Sequence, residues 1–358
     1  MSVHSRTELL KSLECVAPAL SGHEVIPIMT HFWFTGSFVM AYDDRIALRV
    51  PMKTDFKGAL PGTPLLSLLK ASKAREVDIT AGDDAVQMKL ASSRATLAML
   101  PPDNFVFKMP KLADDEGSPI KRKEWVEAIA SLMHSVGHDT SVPEYLGITI
   151  LPSKDKLELY SSDGNTMSKA TLPLGKSGNT FKRRVTLTAE FCTQMLRLEK
   201  DAKKTLLALR DDHAIFVADD VTLFGRLIET SRPKNYEDTF SAHVGPDEMA
   251  ALYDIPTKID DMIERAIIMT AARHDTHLTR ITVKEHSGQF NMLQFYSASG
   301  HGDVTDKSQV PNTQGVIECQ LDPKLLRKGY PRMDKMLITE RCIIMNKGNL
   351  FYMISPNN

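Results

Sequence analysis

The chain has 358 residues, enough for two or three domains, and its 42% hydrophobic and 25% charged content supports real cores in an ordinary globular protein. A formal net charge of −1 excludes a uniformly basic nucleic-acid binder, although not one whose cations are gathered on one face. No apolar run approaches the roughly 18 residues that a membrane span needs, residues 1–6 lack the apolar stretch of a signal peptide, and Cys15, Cys192, Cys319 and Cys342 form no C-x-x-C pair, reading as reduced thiols of a cytoplasmic protein.

Six segments carry a helical apolar period. The first covers Arg6–Val16, with Leu9, Leu10, Leu13 and Val16 on one stripe. The second, residues 63–74, carries Leu65, Leu66, Leu68 and Leu69. The third starts near Lys121, with Trp125, Ile129, Leu132 and Val136 recurring at helical spacing. The fourth, residues 188–204, turns Phe191, Met195 and Leu198 inward. The fifth, residues 257–272, carries Ile259, Met262, Ile263 and Ala266. The sixth, residues 322–330, carries Leu325 and Leu326 and is stopped by Pro331.

Short β-type runs lie between them, at 34–42, 45–50, 95–100, 148–151, 156–160, 214–217, 278–283, 292–296 and 342–345. A helix followed by several strands recurs about six times, and two such sets make a module of domain size. The expected class is therefore α+β, with three modules at 1–114, 115–242 and 243–358. Polar, Pro- and Gly-rich stretches mark the joints at 111–119 and 241–246, and residues 298–312 read as a long exposed loop within the last module.

Enzymatic chemistry finds little support. Gly175-Lys176-Ser177 looks like the end of a phosphate loop, but Ala170 stands where the motif needs its first glycine, and no helical pattern follows. His134 and His138 could share a helix face, yet Ser135 stands where a zinc protease needs Glu, and Gly137 is expected to end the helix before His138. His274 and His277, with Asp275 between them, also lack a convincing further ligand. No G-x-S-x-G elbow is present, and Asp139, Asp211-Asp212 and Asp219-Asp220 read as solvated turns. No metal or cofactor is expected. The alternatives to a binding protein of this build are an enzyme with a cryptic site at Gly175–Ser177 or His134/His138, and a nucleic-acid module that does not encircle its ligand.

The cations say more. Arg197, Lys200 and Lys204 recur along the fourth segment away from its core stripe, Lys258 and Arg265 share a face on the fifth, and Lys324, Arg327 and Lys328 do so on the sixth. The third opens Lys121-Arg122-Lys123, and the first two carry Lys11, Lys70 and Lys73. For any single helix a solvated face is the simpler reading. Cations on all six are better explained by one common lining.

The run from Leu159 through Asp163-Gly164-Asn165-Thr166 to Met167 is a hairpin signal. It resembles the Ala-Thr-Asp-Gly-His-Arg-Leu hairpin of bacterial sliding clamps, the β subunits of DNA polymerase III. Further pieces resemble the same family in order and spacing. They are Leu9 to Leu13 with Ser21 to Ile28, Ser93 through Leu100-Pro101, His138 to Leu146, Leu223 to Glu229 leading to Pro233 and Tyr236, and the tail Phe351 to Pro356. Asn165-Thr166 replaces the family's His-Arg, Thr230-Ser231-Arg232 its Gly-Arg-Phe, and the chain ends Ser355-Pro356-Asn357-Asn358, departures expected of a divergent member such as a phage-encoded one.

The resemblance implies a non-catalytic processivity factor of the DNA clamp fold. Two chains would close head-to-tail into a ring, module one of each against module three of the other, around duplex DNA held without sequence preference. A replicative polymerase and a clamp loader are the implied partners, and a membrane is not. Carried over by position, the DNA-facing residues are Lys11, His23, Lys70, Lys73, Lys121, Arg122, Tyr145, Arg197, Lys200, Lys204, Lys258, Arg265, Lys324, Arg327 and Lys328. A partner-peptide groove between modules two and three would draw on Leu146, Gly164, Asn165, Thr166, Met167, Pro233, Tyr352, Met353, Ile354, Ser355 and Pro356. The altered Asn165-Thr166 pair implies a partner peptide with different polar contacts.

Overall fold

The structure, a computed structural model, describes residues 2–22, 26–105, 107–113, 116–120, 122–173, 183–200, 202–230, 233–271, 278–312 and 316–356. They form two compact units, one of Met1–Arg122 and Glu190–Leu227, the other of Lys123–Gly175, Arg183–Ala189 and Ile228–Asn358. Among the described residues no helix is long and apolar enough to cross a membrane.

The first unit holds an eight-stranded sheet. Its order is β5 (Gly58–Pro61), β2 (His31–Phe34), β3 (Phe38–Tyr42), β4 (Ile46–Pro51), β16 (Val221–Arg226), β15 (His213–Ala218), β14 (Thr205–Leu209) and β9 (Ser118–Pro119). A four-stranded sheet follows the order β1 (Ser2–Ser5), β6 (Glu76–Ala81), β7 (Ala85–Leu90) and β8 (Ser93–Ala98). Helices α1 (Arg6–Val16), α2 (Gly62–Ala71) and α4 (Ala189–Glu199) belong to this unit.

The second unit repeats the plan. Its eight-stranded sheet runs β13 (Val185–Thr188), β10 (Gly147–Pro152), β11 (Lys156–Ser162), β12 (Thr166–Pro173), β24 (Leu350–Ile354), β23 (Ile343–Lys347), β22 (Lys335–Ile338) and β17 (Tyr253–Asp254). The four-stranded sheet runs β20 (Gly302–Pro311), β19 (Phe290–Ser299), β18 (Thr279–Ser287) and β21 (Ile317–Leu321). The helices are α3 (Arg122–Leu132), the short α5 (Tyr236–Ser241) and α6 (Pro246–Ala250), α7 (Ile259–Ala271) and α8 (Pro323–Gly329).

One building block underlies all four sheets: a three-stranded antiparallel meander with one further strand beside its first. Each eight-stranded sheet is two such blocks joined through the last strands of their meanders. β4 meets β16 with Leu48 opposite Leu223, and β12 meets β24 with Met167 opposite Met353. Stretch 115–242 is shared between the units, β10 to β13 in one and β9 and β14 to β16 in the other.

The elements follow from their sequences. In α1, Leu9, Leu13 and Val16 are buried, and Ser5 Oγ accepts from Glu8 N at the N-cap. Each buried aliphatic side chain contributes about 1.5–3 kcal/mol against roughly 1 kcal/mol for the cap, so burial decides that the helix forms and the cap decides where it starts. In α8, Asp322 caps and Pro323 opens the helix.

Four boundaries differ from the sequence reading. The fourth helix ends at Glu199, because the Asp219 carboxylate accepts from the backbone N–H groups of Lys203 and Lys204 and so holds the approach to β14 in a turn. The second ends at Ala71, leaving Lys73 beyond it. Residues 241–246 link two short helices, α5 and α6, the first capped by Asn235. Residues 298–312 are no loop: they finish β19, turn, and return as the ten-residue β20, Gly302 taking φ +142° at the turn. The loop-like composition is that of an edge strand, whose exposed side has no core to fill.

Candidate docking groove and basic helix faces

The turn between β11 and β12 is fixed from within. Asp163 Oδ1 accepts from Asn165 N at 3.0 Å, Thr166 N at 2.7 Å and Thr166 Oγ1 at 3.0 Å. Ser162 Oγ accepts from Gly164 N and donates to the Thr166 carbonyl. Gly164 sits at φ +90°, where a side chain is strained. β12 then pairs with β24, and Ser355 N donates to the Asn165 carbonyl at 2.8 Å, so the C-terminal strand is tied to the hairpin.

Beside this junction lies a cavity of about 240 Å³. Six residues expected in the groove line it: Gly164, Asn165, Thr166, Met167, Met353 and Ser355. Leu146, Pro233, Tyr352, Ile354 and Pro356 do not. Adjacent residues of a strand point to opposite faces, so with Met353 and Ser355 toward the cavity, Tyr352 points away. Its hydroxyl donates to the Leu325 carbonyl and its ring packs where a Cβ on Gly329 would stand. Tyr145, expected to face DNA, lines the cavity instead. Lys234, Tyr236, Thr239, His243, Arg341 and Cys342 also line it and were not foreseen. Tyr236 and Phe240 do stand at the i, i+4 spacing of a helix, a signal hidden in the polar stretch 233–246; nothing in the sequence marks Arg341 and Cys342, which pairing of β23 with β24 brings here.

A buried charge holds one wall. Glu144, 1% exposed, accepts from Arg184 Nη2 at 2.5 Å and from Lys234 N at 2.6 Å, while Arg184 Nη1 donates to the Lys234 carbonyl at 2.8 Å. The Arg184 guanidinium lies 5.6 Å over the Tyr236 ring, and Lys234 Nζ 5.5 Å over Tyr145. Tyr236 in turn stacks on Tyr160 at 5.6 Å. Burial pushes the Tyr236 phenol and the Cys342 thiol up, so neither supplies an anion or a nucleophile here.

The expected basic faces are partly committed. In the first unit Arg197 Nη2 donates to the Cys15 carbonyl at 2.6 Å, satisfying an end carbonyl of α1 and tying α4 to it. Lys70 pairs with Glu14 at 3.1 Å. Lys11, Lys73, Lys200 and Lys204 are exposed, the last two beyond α4, which corrects their placement on one helix face. In the second unit Arg265 holds Asp306 of β20 with both Nε and Nη2. Lys258 precedes α7, its carbonyl accepting from Met262 N. Lys324, Arg327 and Lys328 are exposed on α8, Lys328 lying 3.9 Å from Asp163. Exposed pairs of this kind contribute roughly 0–1 kcal/mol and leave the cation available to a phosphate. Arg122 opens α3; His23 and Lys121 lie outside the described residues.

Among the described residues no group of three or more His, Cys, Asp or Glu could hold a metal ion. His134 sits in a turn after α3, its pKa lowered by burial and then by Arg332 and Lys328, and His138 shares no helix with it. Gly175–Ser177, His274, Asp275 and His277 lie outside the described residues.

No family model and no curated protein matches the chain. Solved structures do. A sliding clamp, DNA polymerase III subunit β, from Pseudomonas aeruginosa bound to griselimycin superposes with a TM-score of 0.84 at 15% identity, covering 99% of this chain and 98% of that one. The DNA polymerase III β chain of Streptococcus pneumoniae gives 0.84 at 13% identity, covering 99% of both chains. The β subunit of Thermotoga maritima gives 0.82 at 14%, covering 99% of this chain and 98% of that one. Over nearly its whole length, this chain has the fold of the DNA polymerase III β-subunit sliding clamps.

Proposed function

We propose that this protein is a sliding clamp: a non-catalytic ring of two chains that encircles duplex DNA in the cytoplasm and tethers a replicative polymerase to its template. The observation that carries the reading is the arithmetic of strand edges. With domains at 1–114, 115–242 and 243–358, each has two four-stranded blocks. The first block of domain one joins the second block of domain two through β4 and β16. The first block of domain two joins the second block of domain three through β12 and β24. Two blocks are left over, and their last strands, β8 and β20, have no outer neighbour among the described strands.

The same rule applied once more pairs β20 of one chain with β8 of a second. Two-fold symmetry then makes this contact twice and leaves no meander without a partner at its last strand. Ile268, 61% exposed on α7 beside β20, is an apolar side chain that such a contact covers. The exposed lysines and arginines on and beside the helices supply sequence-independent phosphate contacts. The cavity at the β11–β12 turn takes a partner's peptide, and tethering through it raises the polymerase's effective concentration on DNA. A clamp loader would open the ring. Sedimentation equilibrium at micromolar concentration should give twice the chain mass of 39.9 kDa; a strict monomer or a trimer contradicts the assembly.

A further inference from the structure

A second cavity, of about 340 Å³, opens next to the docking groove. That is the size of a small ligand pocket, about 300 Å³ and above. The two share three lining residues, His243, Arg341 and Cys342, so one extended segment passes from one to the other. The second cavity is built by the α5–α6 stretch on one side and the β22–β23 turn on the other. Leu337, Ile338, Cys342 and Ile317 give it a buried, largely apolar floor. Among the described residues its rim carries Asp247, Glu248 and Glu340 against one cation, Arg341. Glu248 is used by the fold, its Oε2 accepting from Gly245 N at 2.9 Å. Asp247 and Glu340 are exposed carboxylates at the mouth.

We infer that this second cavity is a specificity subsite of the docking groove, and that it takes a lysine or arginine flanking the apolar anchors of the same partner peptide. The inference rests on the docking groove proposed above. The chemistry selects the occupant. A long basic side chain lays its aliphatic stem on the apolar floor and brings its charged head to the rim carboxylates. An acidic residue there meets three carboxylates, and a short apolar one leaves the rim unused. Continuity matters as much as charge: a rim carboxylate on an isolated surface would bind cations weakly, whereas here the anchors in the groove already hold the basic residue nearby.

The probe is a random twelve-residue peptide library displayed on phage and selected on the full-length protein. Enriched peptides should share apolar anchors with a Lys or Arg at a fixed offset. In a synthetic copy of the best peptide, changing that residue to Ala should weaken binding about tenfold, the scale of one charge-assisted contact. The same change should have no effect on binding to Asp247→Asn/Glu340→Gln, whose exposed, isosteric substitutions keep the fold, nor on binding to Asp247→Lys/Glu340→Lys. Anchors without a basic preference, or variants that bind the parent peptide as tightly as the wild type, overturn the subsite and leave the groove standing. Peptides that bind Met167→Lys as well as they bind the wild type show that the groove itself is misplaced.

Discussion

At the scale of single residues, two devices hold the groove in shape. The first is the Asp163 carboxylate, which accepts three hydrogen bonds around Gly164. Gly164→Ala forces φ +90° on a residue with a Cβ, at roughly 1–2 kcal/mol, and should lower both thermal stability and peptide affinity, as calorimetry would show. The second is Glu144, whose loss strands Arg184 in the wall behind Tyr236. Arg184 is part-exposed and keeps its bond to the Lys234 carbonyl, so Glu144→Ala should destabilise the protein in urea titrations by less than the roughly 3–5 kcal/mol of a fully buried pair, whereas Glu144→Gln keeps part of the hydrogen bonding and should cost less still.

Glu116, in the first unit, offers a pH handle. Arg210 donates to both of its carboxylate oxygens and lowers its pKa from 4.5 to about 2. A depressed carboxylate pKa contributes stability above the unfolded value, and that contribution fades as pH falls from 4.5 toward 2. Arg210→Ala should therefore lower Tm at pH 7, with the difference from wild type shrinking across that acid window. The pair is part-exposed, so the effect should be small.

At the scale of elements, the sequence was most legible where a period and a core coincide. Helices α1 and α8 stand where Leu9 to Val16 and Leu325-Leu326 put them, and the Asp163-Gly164 turn is where its chemistry demands. It was least legible where polar residues do structural work. Lys200 and Lys204 continue a helical spacing, yet the Asp219 carboxylate, far along the chain, ends the helix first. The Ser-, Gly- and Asp-rich stretch 298–312 is β20 because β19 pairs with it along its length, a partner no local pattern reveals. The same limit hid Arg341 and Cys342 from any reading of the groove. It also changes which cations test the basic lining. Arg197 caps α1 and Arg265 grips β20, so reversing them disturbs the fold. Lys11, Lys324 and Arg327 lie on exposed faces of α1 and α8. Their joint change to Glu should leave the melting curve near wild type and flatten the salt dependence of DNA binding, since each lost phosphate contact lowers the slope by about 0.9. An unchanged slope would move the DNA path elsewhere.

At the scale of the whole molecule, the proposed ring depends on β8 and β20 finding each other across two chains. Ile268→Glu places a charge in that proposed contact, and should leave a folded monomer where the proposed assembly makes the wild type a dimer. Encirclement itself can be measured without a loader. Linear duplex is incubated with the protein, closed by ligation, and washed at 1 M salt, where the Debye length is about 3 Å and phosphate contacts are screened. A ring threaded over an end before closure stays on the circle through the wash and leaves after a single restriction cut. Retention of the circle with loss on linearisation is the result this account predicts; circular and linear DNA washing away alike would contradict it.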